Sequence, residues 1–403
     1  MTYRPGRSFL HTPGPTHIPE TVLNAMRRQP LDLADPEFVT ICNETAQALK
    51  PIFKTDGHIF LYAANGHGAW EALFTNLLAP EDKVLVPETG HFASAWAQHG
   101  ASLGLAIEML PGDWRQAIDP NRIEEALRAD TGKHIKAVLA THIDTGTGIH
   151  SSIRDVRAAM NAANHPALLL VDAVASLGAV PFNMDEWGVD GAVTASQKAL
   201  MSPPGLSIVA IGRTISERSR NNRFPRCYWD WQSRLSASNY AQFGGTAPEQ
   251  TLFALHAAVK LIEREGLPAI FARHKRLSGA VQAAVSHWSE AGALSFNARN
   301  AHERAATVTT ILTPEGMDSE TIRNYARANL GVALGGGLGK LDKKAFRIGH
   351  MGDLNEPMIL GCLAAVETAL TDLKVPHGTG GLRAAVEFLS ADRLQQIKSD
   401  QAA

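Results

Sequence analysis

Short apolar runs recur along this chain, separated by stretches whose apolar residues fall at helical spacing. The runs include Ile59-Phe60-Leu61-Tyr62, Lys83-Val84-Leu85-Val86, Ala137-Val138-Leu139-Ala140, Ala167-Leu168-Leu169-Leu170-Val171 and Leu206-Ser207-Ile208-Val209-Ala210. The continuous, leucine-rich run ending at Asp172 predicts a strand buried on both faces of a parallel sheet. Helix-like stretches such as Arg122 to Ala129 alternate with the runs. The expected fold class is therefore α/β, a mostly parallel sheet covered by helices. The large domain is expected over residues 13–267, after an N-terminal arm, residues 1–12, that crosses to a partner subunit.

Ala269 to Glu290 reads as a long helix entering a second domain, whose first strand is expected at Thr307-Val308-Thr309-Thr310-Ile311-Leu312 from its β-branched content. A smaller α/β domain then spans residues 268–375. Residues 376–403 form a tail helix by the apolar spacing of Leu382, Val386 and Leu389. Leu334 to Gly339, centred on Gly335-Gly336-Gly337, predicts a flexible active-site turn. It is not a phosphate loop, because no Lys-Ser or Lys-Thr follows it.

A chain of 403 residues, 45% of them hydrophobic, can bury a sizeable core. The charge balance, 38 basic against 40 acidic residues, gives a net charge of −2 and no basic excess for nucleic acid. No apolar run approaches the ~20 residues of a membrane span, and Met1-Thr2-Tyr3-Arg4-Pro5 lacks the apolar core of a secretory signal. Cys42, Cys227 and Cys362 are widely spaced and odd in number, so free thiols and a cytoplasmic location are expected, with no metal site. Neither a His-Glu-x-x-His helix nor a Gly-x-Ser-x-Gly elbow occurs, which leaves metal-dependent and serine hydrolases without support.

Two residues carry the chemistry. Asp172 ends a buried apolar run, at the strand edge where open α/β sheets gather their ligands. Lys198 follows 198 − 172 = 26 residues later, in Ser196-Gln197-Lys198. An amine to hold an aldehyde and a carboxylate to keep a pyridine nitrogen protonated are what pyridoxal phosphate requires of a protein. Taken singly, each is as readily a helix-capping Asp and a surface Lys.

A third element weighs with them. Ala63-Ala64-Asn65-Gly66-His67-Gly68 follows a strand-like run and opens a helical stretch, so its backbone N–H groups and helix dipole suit a phosphate. Gly66 and His67 are the candidate phosphate ligands, although glycines at such turns often have steric reasons alone.

These motifs together resemble fold-type I, class V aminotransferases of the alanine–glyoxylate and serine–glyoxylate group. The resemblance runs from Thr12-Pro13-Gly14-Pro15 to about Leu373. It rests on Val171-Asp172-Ala173-Val174-Ala175-Ser176-Leu177-Gly178, on Ser196-Gln197-Lys198-Ala199-Leu200 followed by Pro203-Pro204-Gly205, and on Arg347-Ile348-Gly349-His350-Met351-Gly352. It implies a seven-stranded sheet and a pyridoxal 5'-phosphate cofactor. It implies that Lys198 bears the cofactor and moves the substrate α-proton, that Asp172 pairs with the ring nitrogen, and that Val174 packs under the ring.

The same resemblance places Phe92 on the ring's other face, Thr145 and Gln197 beside the cofactor, and Arg347 on the substrate carboxylate. Thr246 matches a residue that reaches the phosphate from a neighbouring subunit, which implies a homodimer with shared sites. Phe243 stands where the family commonly has Tyr, so one phosphate hydrogen bond is missing. Tyr228, Trp229 and Trp231 fall in a segment that the family brings near the site, with no catalytic role assigned. The expected activity is amino transfer from serine or alanine to glyoxylate. A pyridoxal-phosphate lyase acting on a small or 3-hydroxy amino acid, and a non-catalytic cofactor-binding module, are the alternatives.

Overall fold

The computed structural model describes residues 6–235 and 238–402, so the arm residues 1–5 lie outside the described residues. In chain order the strands are Phe9–His11 (β1), His58–Ala63 (β2), Lys83–Pro87 (β3), Ala106–Leu110 (β4), Ile135–Thr141 (β5), Ile143–Asp144 (β6) and Ile149–His150 (β7). Leu168–Asp172 (β8), Gly191–Ala195 (β9), Leu206–Ile211 (β10), Ser295–Phe296 (β11), Val308–Leu312 (β12), Val332–Gly336 (β13) and Ala345–Gly349 (β14) complete them.

A seven-stranded sheet runs in the order β2-β10-β9-β8-β5-β3-β4. Only β10 runs against its neighbours, pairing antiparallel with both β2 and β9, while the other pairings are parallel. The mostly parallel α/β sheet expected from the apolar runs is therefore present. Every residue of β8, β9 and β10 is buried, as strands covered by helices on both faces must be. Because β10 alone is reversed, the carboxyl ends of β2, β3, β5, β8 and β9 share one edge. Thr141 and Asp172 stand opposite each other there, with Val193 beside Asp172.

A second sheet has the order β1-β13-β14-β12-β11. The helix Leu267–Trp288 joins the two cores, placing Ile270 in the first and Leu277, Val281 and Trp288 in the second. Three expectations change. Residues 9–11 of the arm pair in parallel with β13 of their own chain, instead of crossing to another. The strand at Thr307–Leu312 is not the first of this sheet, since the short β11 precedes it and β1 is its edge. Leu334, Gly335 and Gly336 belong to β13, so the glycine run is strand before it is turn. Its glycines answer close packing, because a Cβ on Gly335 would lie 2.7 Å from Pro13 Cδ and 3.1 Å from Arg347 Cβ.

The tail forms the helix Gly381–Ala402 and packs on Leu267–Trp288. Ala385 and Leu389 are buried, whereas Val386, expected on the apolar line, is 47% exposed. One step of about 100° per residue separates the faces of positions 385 and 386.

Candidate active site

Five loops leave the common sheet edge and enclose a cavity of ≈ 270 Å³. Its lining includes Gly66, His67, Phe92, Thr145, Asp172, Val174, Gln197 and Lys198. Eight of the residues singled out from the sequence are thus brought together from five separate stretches of chain. Arg347 stands just behind, donating through Nη1 to the Thr145 carbonyl at 2.9 Å and through Nε to the Gly336 carbonyl at 2.5 Å. Thr246 is not brought into this cavity and lies exposed on the surface of the chain. Phe243 is buried in the large core and does not line the cavity.

Asp172 is 2% exposed. Its Oδ1 accepts from the Val174 amide at 2.8 Å, and its Oδ2 from Trp70 Nε1 at 3.1 Å. Burial pushes its carboxyl up to about 7, with the Asp144 charge adding and Lys198 opposing. A carboxylate so placed lacks a full counter-charge and favours a cationic N–H partner. Lys198 is buried too, and burial with the nearby Arg347 charge lowers its ammonium to about 8. Its Nζ donates to the Pro13 carbonyl at 2.5 Å.

That contact reveals a part of the site that sequence reasoning quoted but gave no role. The segment 13–16 crosses over the Lys198 loop, Thr16 holding the Gln197 carbonyl by its amide at 3.1 Å and the Lys198 carbonyl by its hydroxyl at 2.9 Å. Gly14 and Pro15 line the cavity. Gly14 has φ +119°, and a Cβ there would overlap the Lys198 side chain, so glycine is required twice over.

The helix Gly66–Leu77 begins at the cavity. Asn65 Oδ1 caps it, accepting from the His67 and Gly68 amides at 3.1 and 3.3 Å, so those two N–H groups are not free as expected. Trp70, one turn into the same helix, reaches Asp172. Its spacing of four from Gly66 puts it on the face that meets the sheet edge, a signal that was present in the sequence. Trp229 buttresses the helix by donating to Glu71 at 2.9 Å, and Trp231 is a core residue stacked on Phe60. Opposite, Phe92 sits at the start of the helix His91–Ser102. Gln197 Oε1 is buried without a hydrogen-bond partner. A Cβ on Gly66 would press to 3.3 Å from Val174 Cγ2, so the cavity keeps its depth only with glycine there.

A lysine and a buried carboxylate at the carboxyl edge of this sheet, with a smaller second sheet alongside, define a fold-type I pyridoxal-phosphate enzyme. Residues 8–340 match the family described as Aminotransferase class-V, and the chain belongs to that family. It is 40% identical over 401 residues to the serine–glyoxylate aminotransferase of Methylorubrum extorquens, covering 98% of each chain. It is also 40% identical over 379 residues to the L-aspartate–glyoxylate aminotransferase of Paracoccus denitrificans, covering 93% of this chain and 94% of that one. The crystal structure of ureidoglycine–glyoxylate aminotransferase from Bacillus subtilis superposes with a TM-score of 0.87 at 26% identity, covering 97% of this chain and 100% of that one. The protein is an aminotransferase, and pyridoxal 5'-phosphate is its cofactor.

Proposed function

We propose that the protein moves the amino group of a small neutral amino acid, serine or alanine, to glyoxylate. The observation that carries this reading is the character of the cavity. Among the described residues that line it, Lys198 is the one ammonium and His67 a ring that burial and neighbouring histidines hold below its ordinary pKa, and Arg347 stands at its edge. Of the arginines in the segment around Tyr228, Arg223 is exposed and two others are occupied elsewhere. Arg226 pairs with Asp230 at 3.0 Å, and Arg234 is 3% exposed and spends its N–H groups on the carbonyls of Tyr228, Leu61 and Gln242. A donor with a side-chain carboxylate therefore finds no guanidinium among the described residues that line the cavity, and an unpaired charge in a buried site is strongly disfavoured.

The residues present fit the cofactor. Asp172 offers a carboxylate short of positive charge, Lys198 a buried amine, Gln197 an orphaned acceptor, and the helix Gly66–Leu77 a dipole with the His67 ring beside it for a phosphate. Val174 and Phe92 supply the apolar surfaces. When bound, pyridoxal phosphate supplies an electron sink for the substrate α-carbon. Asp172 holds the proton on the ring nitrogen, its orientation fixed by the Val174 amide and Trp70 Nε1. Lys198 Nζ takes the α-proton and returns it. An ammonium lowered to about 8 exchanges protons near neutral pH, as a general acid–base group should.

Arg347 binds the substrate carboxylate. Two backbone carbonyls hold Nε and Nη1 and fix the guanidinium at the cavity edge, leaving its other N–H groups for the carboxylate. Arg347→Lys is expected to raise KM for every carboxylate donor, by roughly tenfold or more, because an ammonium cannot reproduce a planar, oriented fork. Unchanged kcat/KM in that variant places the carboxylate site elsewhere.

A stopped-flow panel of amino acids tests the donor, followed by return of the amino group to glyoxylate, pyruvate or 2-oxoglutarate. Fast reaction with serine or alanine and with glyoxylate is expected. Preference for aspartate, which the Paracoccus relative shares by name, would overturn the donor reading.

The reading includes a homodimer with shared sites in a reducing, cytoplasmic setting. It is supported by the exposure of Thr246 outside its own cavity, by the nearby exposed Tyr240 and Leu235, and by three unpaired cysteines. Among the described residues no helix is long and apolar enough to cross a membrane. Sedimentation velocity is expected to show a dimer, with Thr246→Val weakening cofactor affinity. An active monomer contradicts shared sites.

A further inference from the structure

Asp144 does not line the cavity, yet three of the site's parts depend on where it stands. It ends β6 and is 1% exposed. Its Oδ2 accepts from the amides of Phe92 at 2.7 Å and Ala93 at 3.2 Å, and its Oδ1 from the Gly146 amide at 2.8 Å. The helix His91–Ser102 has glycine at its N-cap and no side-chain cap of its own, so a carboxylate 52 residues away caps it. The bond to Gly146 and the Gly148 amide bond to the Asp144 carbonyl at 2.9 Å close the turn that carries Thr145. That turn puts the Thr145 side chain into the cavity wall and turns its carbonyl to Arg347 Nη1.

The surroundings are built to hold the carboxylate there. A Cβ on Gly90 would overlap it, and one on Gly146 would lie 3.0 Å from Oδ1. Gly90 has extended backbone that any residue adopts, so space and not conformation requires glycine. The charged and titratable groups that act on Asp144, or on which it acts, are His91, Asp172, Lys198 and Arg347. Three of these four are the reactive or binding groups of the site. Burial works against the ionised carboxylate, and the three backbone donors work for it.

We infer that Asp144 is a positioning residue of the amino-transfer site, the joint that sets Phe92, Thr145 and the Arg347 guanidinium relative to one another and the fixed negative charge that balances Lys198 and Arg347. This rests on the reading of Lys198 and Arg347 given above. It explains why two helix-terminal amides and a turn amide converge on a carboxylate that does not itself line the cavity.

The test is Asp144→Asn, which keeps the shape, removes the charge and replaces one acceptor oxygen by an N–H₂ group facing N–H donors. The pH titration of the bound cofactor's visible absorbance is expected to shift down by about one unit, since a nearby cation is deprotonated more easily without the negative charge. Cofactor affinity, measured by equilibrium dialysis, is expected to fall about tenfold as the Phe92 and Thr145 supports loosen. A residue that serves only folding would lower the melting temperature and leave the titration in place. Should Asp144→Asn not fold, Gly90→Ala decides instead: its methyl displaces the carboxylate without changing charge, and the same weakened affinity is expected. Wild-type titration with wild-type affinity overturns the inference. A visible band that survives Lys198→Ala unchanged removes Lys198 from the site and this inference with it, whereas a band lost in Lys198→Ala but titrating as wild type in Asp144→Asn removes only the role of Asp144.

Discussion

Alanine at position 198 is expected to abolish the lysine-linked visible absorbance of the holoenzyme and to lower kcat by roughly 10²–10⁴-fold or more, the range that a positioned proton carrier supplies. Among the described residues no other amine lines the cavity, so no neighbour there takes over. Lys198 is prepared for the task by its surroundings. Burial and the Arg347 charge lower its ammonium to about 8, while Asp172 and Asp144 keep it from falling further. The Pro13 carbonyl and the Thr16 contacts fix the loop on which it stands. The fold should survive the change, because the substitution removes a buried charge and leaves the sheet edge paired. Retention of the band and of turnover in Lys198→Ala would place the reactive amine elsewhere.

The second large effect is loss of stability in mild acid, read on the cofactor-free protein. Three histidines are buried as neutral rings, two of them with both ring nitrogens partnered. His274 Nε2 accepts from the Gly352 amide at 3.1 Å, which makes Nδ1 the donor to the Ile270 carbonyl at 2.8 Å. His350 faces the Ala306 carbonyl through Nδ1 and the Thr309 hydroxyl through Nε2. His11 meets the Gly349 carbonyl through Nδ1. Burial lowers His11 and His274 to about 4 and His350 to about 3, and lowers His142 well below its ordinary value.

In the unfolded chain these rings take a proton near 6.5. Between that pH and about 4 the unfolded state therefore binds more protons, and stability falls as pH falls. Asp172 and Asp144, raised by burial, act in the opposite direction over part of the same window. Burial also lowers His58, His67, His150 and His165, so the histidines outnumber the two carboxylates and the unfolded state takes up more protons as pH falls through this window. Melting temperatures should drop steeply between pH 6.5 and 4.5. A flat profile over that range would show that these rings are solvated or already charged in the folded state.

Both effects rest on groups whose neighbours come from distant parts of the chain, and this marks how far the sequence could be read. Lys198, Asp172, Val174, Gln197, Thr145, Phe92, Gly66 and His67 all reach one cavity because each follows a strand end, and strand ends are visible as the close of an apolar run. Trp70 was equally accessible from its helical spacing to Gly66 but carried no motif that named a partner. Asp144 was not legible. Its three donors lie on another helix and in its own turn, and nothing in Ile143-Asp144-Thr145 states that a helix 52 residues away lacks a cap. Thr246 marks the opposite limit, since the fold of its own chain leaves it exposed and outside the cavity.

The glycine run at 335–337 shows the same division at the level of the backbone. Three glycines in a row suggest a turn, because glycine tolerates any turn geometry. Pairing of Gly335 with Arg347 and of Gly336 with Phe346 made most of the run a strand, and the glycines admit Pro13 and the arginine side chain to close packing. What the sequence by itself determined was the alternation of buried strands with helices, the carboxylate and amine at strand ends, and the helix that opens with Gly66, because period, apolar content and local capping are properties of neighbours in the chain. What only the tertiary structure decided was the reversed direction of β10, the return of residues 9–11 to their own second sheet, the strap of 13–16 over Lys198 and the joint at Asp144. Each depends on hydrogen bonds and steric fit between segments far apart in sequence, and those energies exist only once the core has brought the segments together.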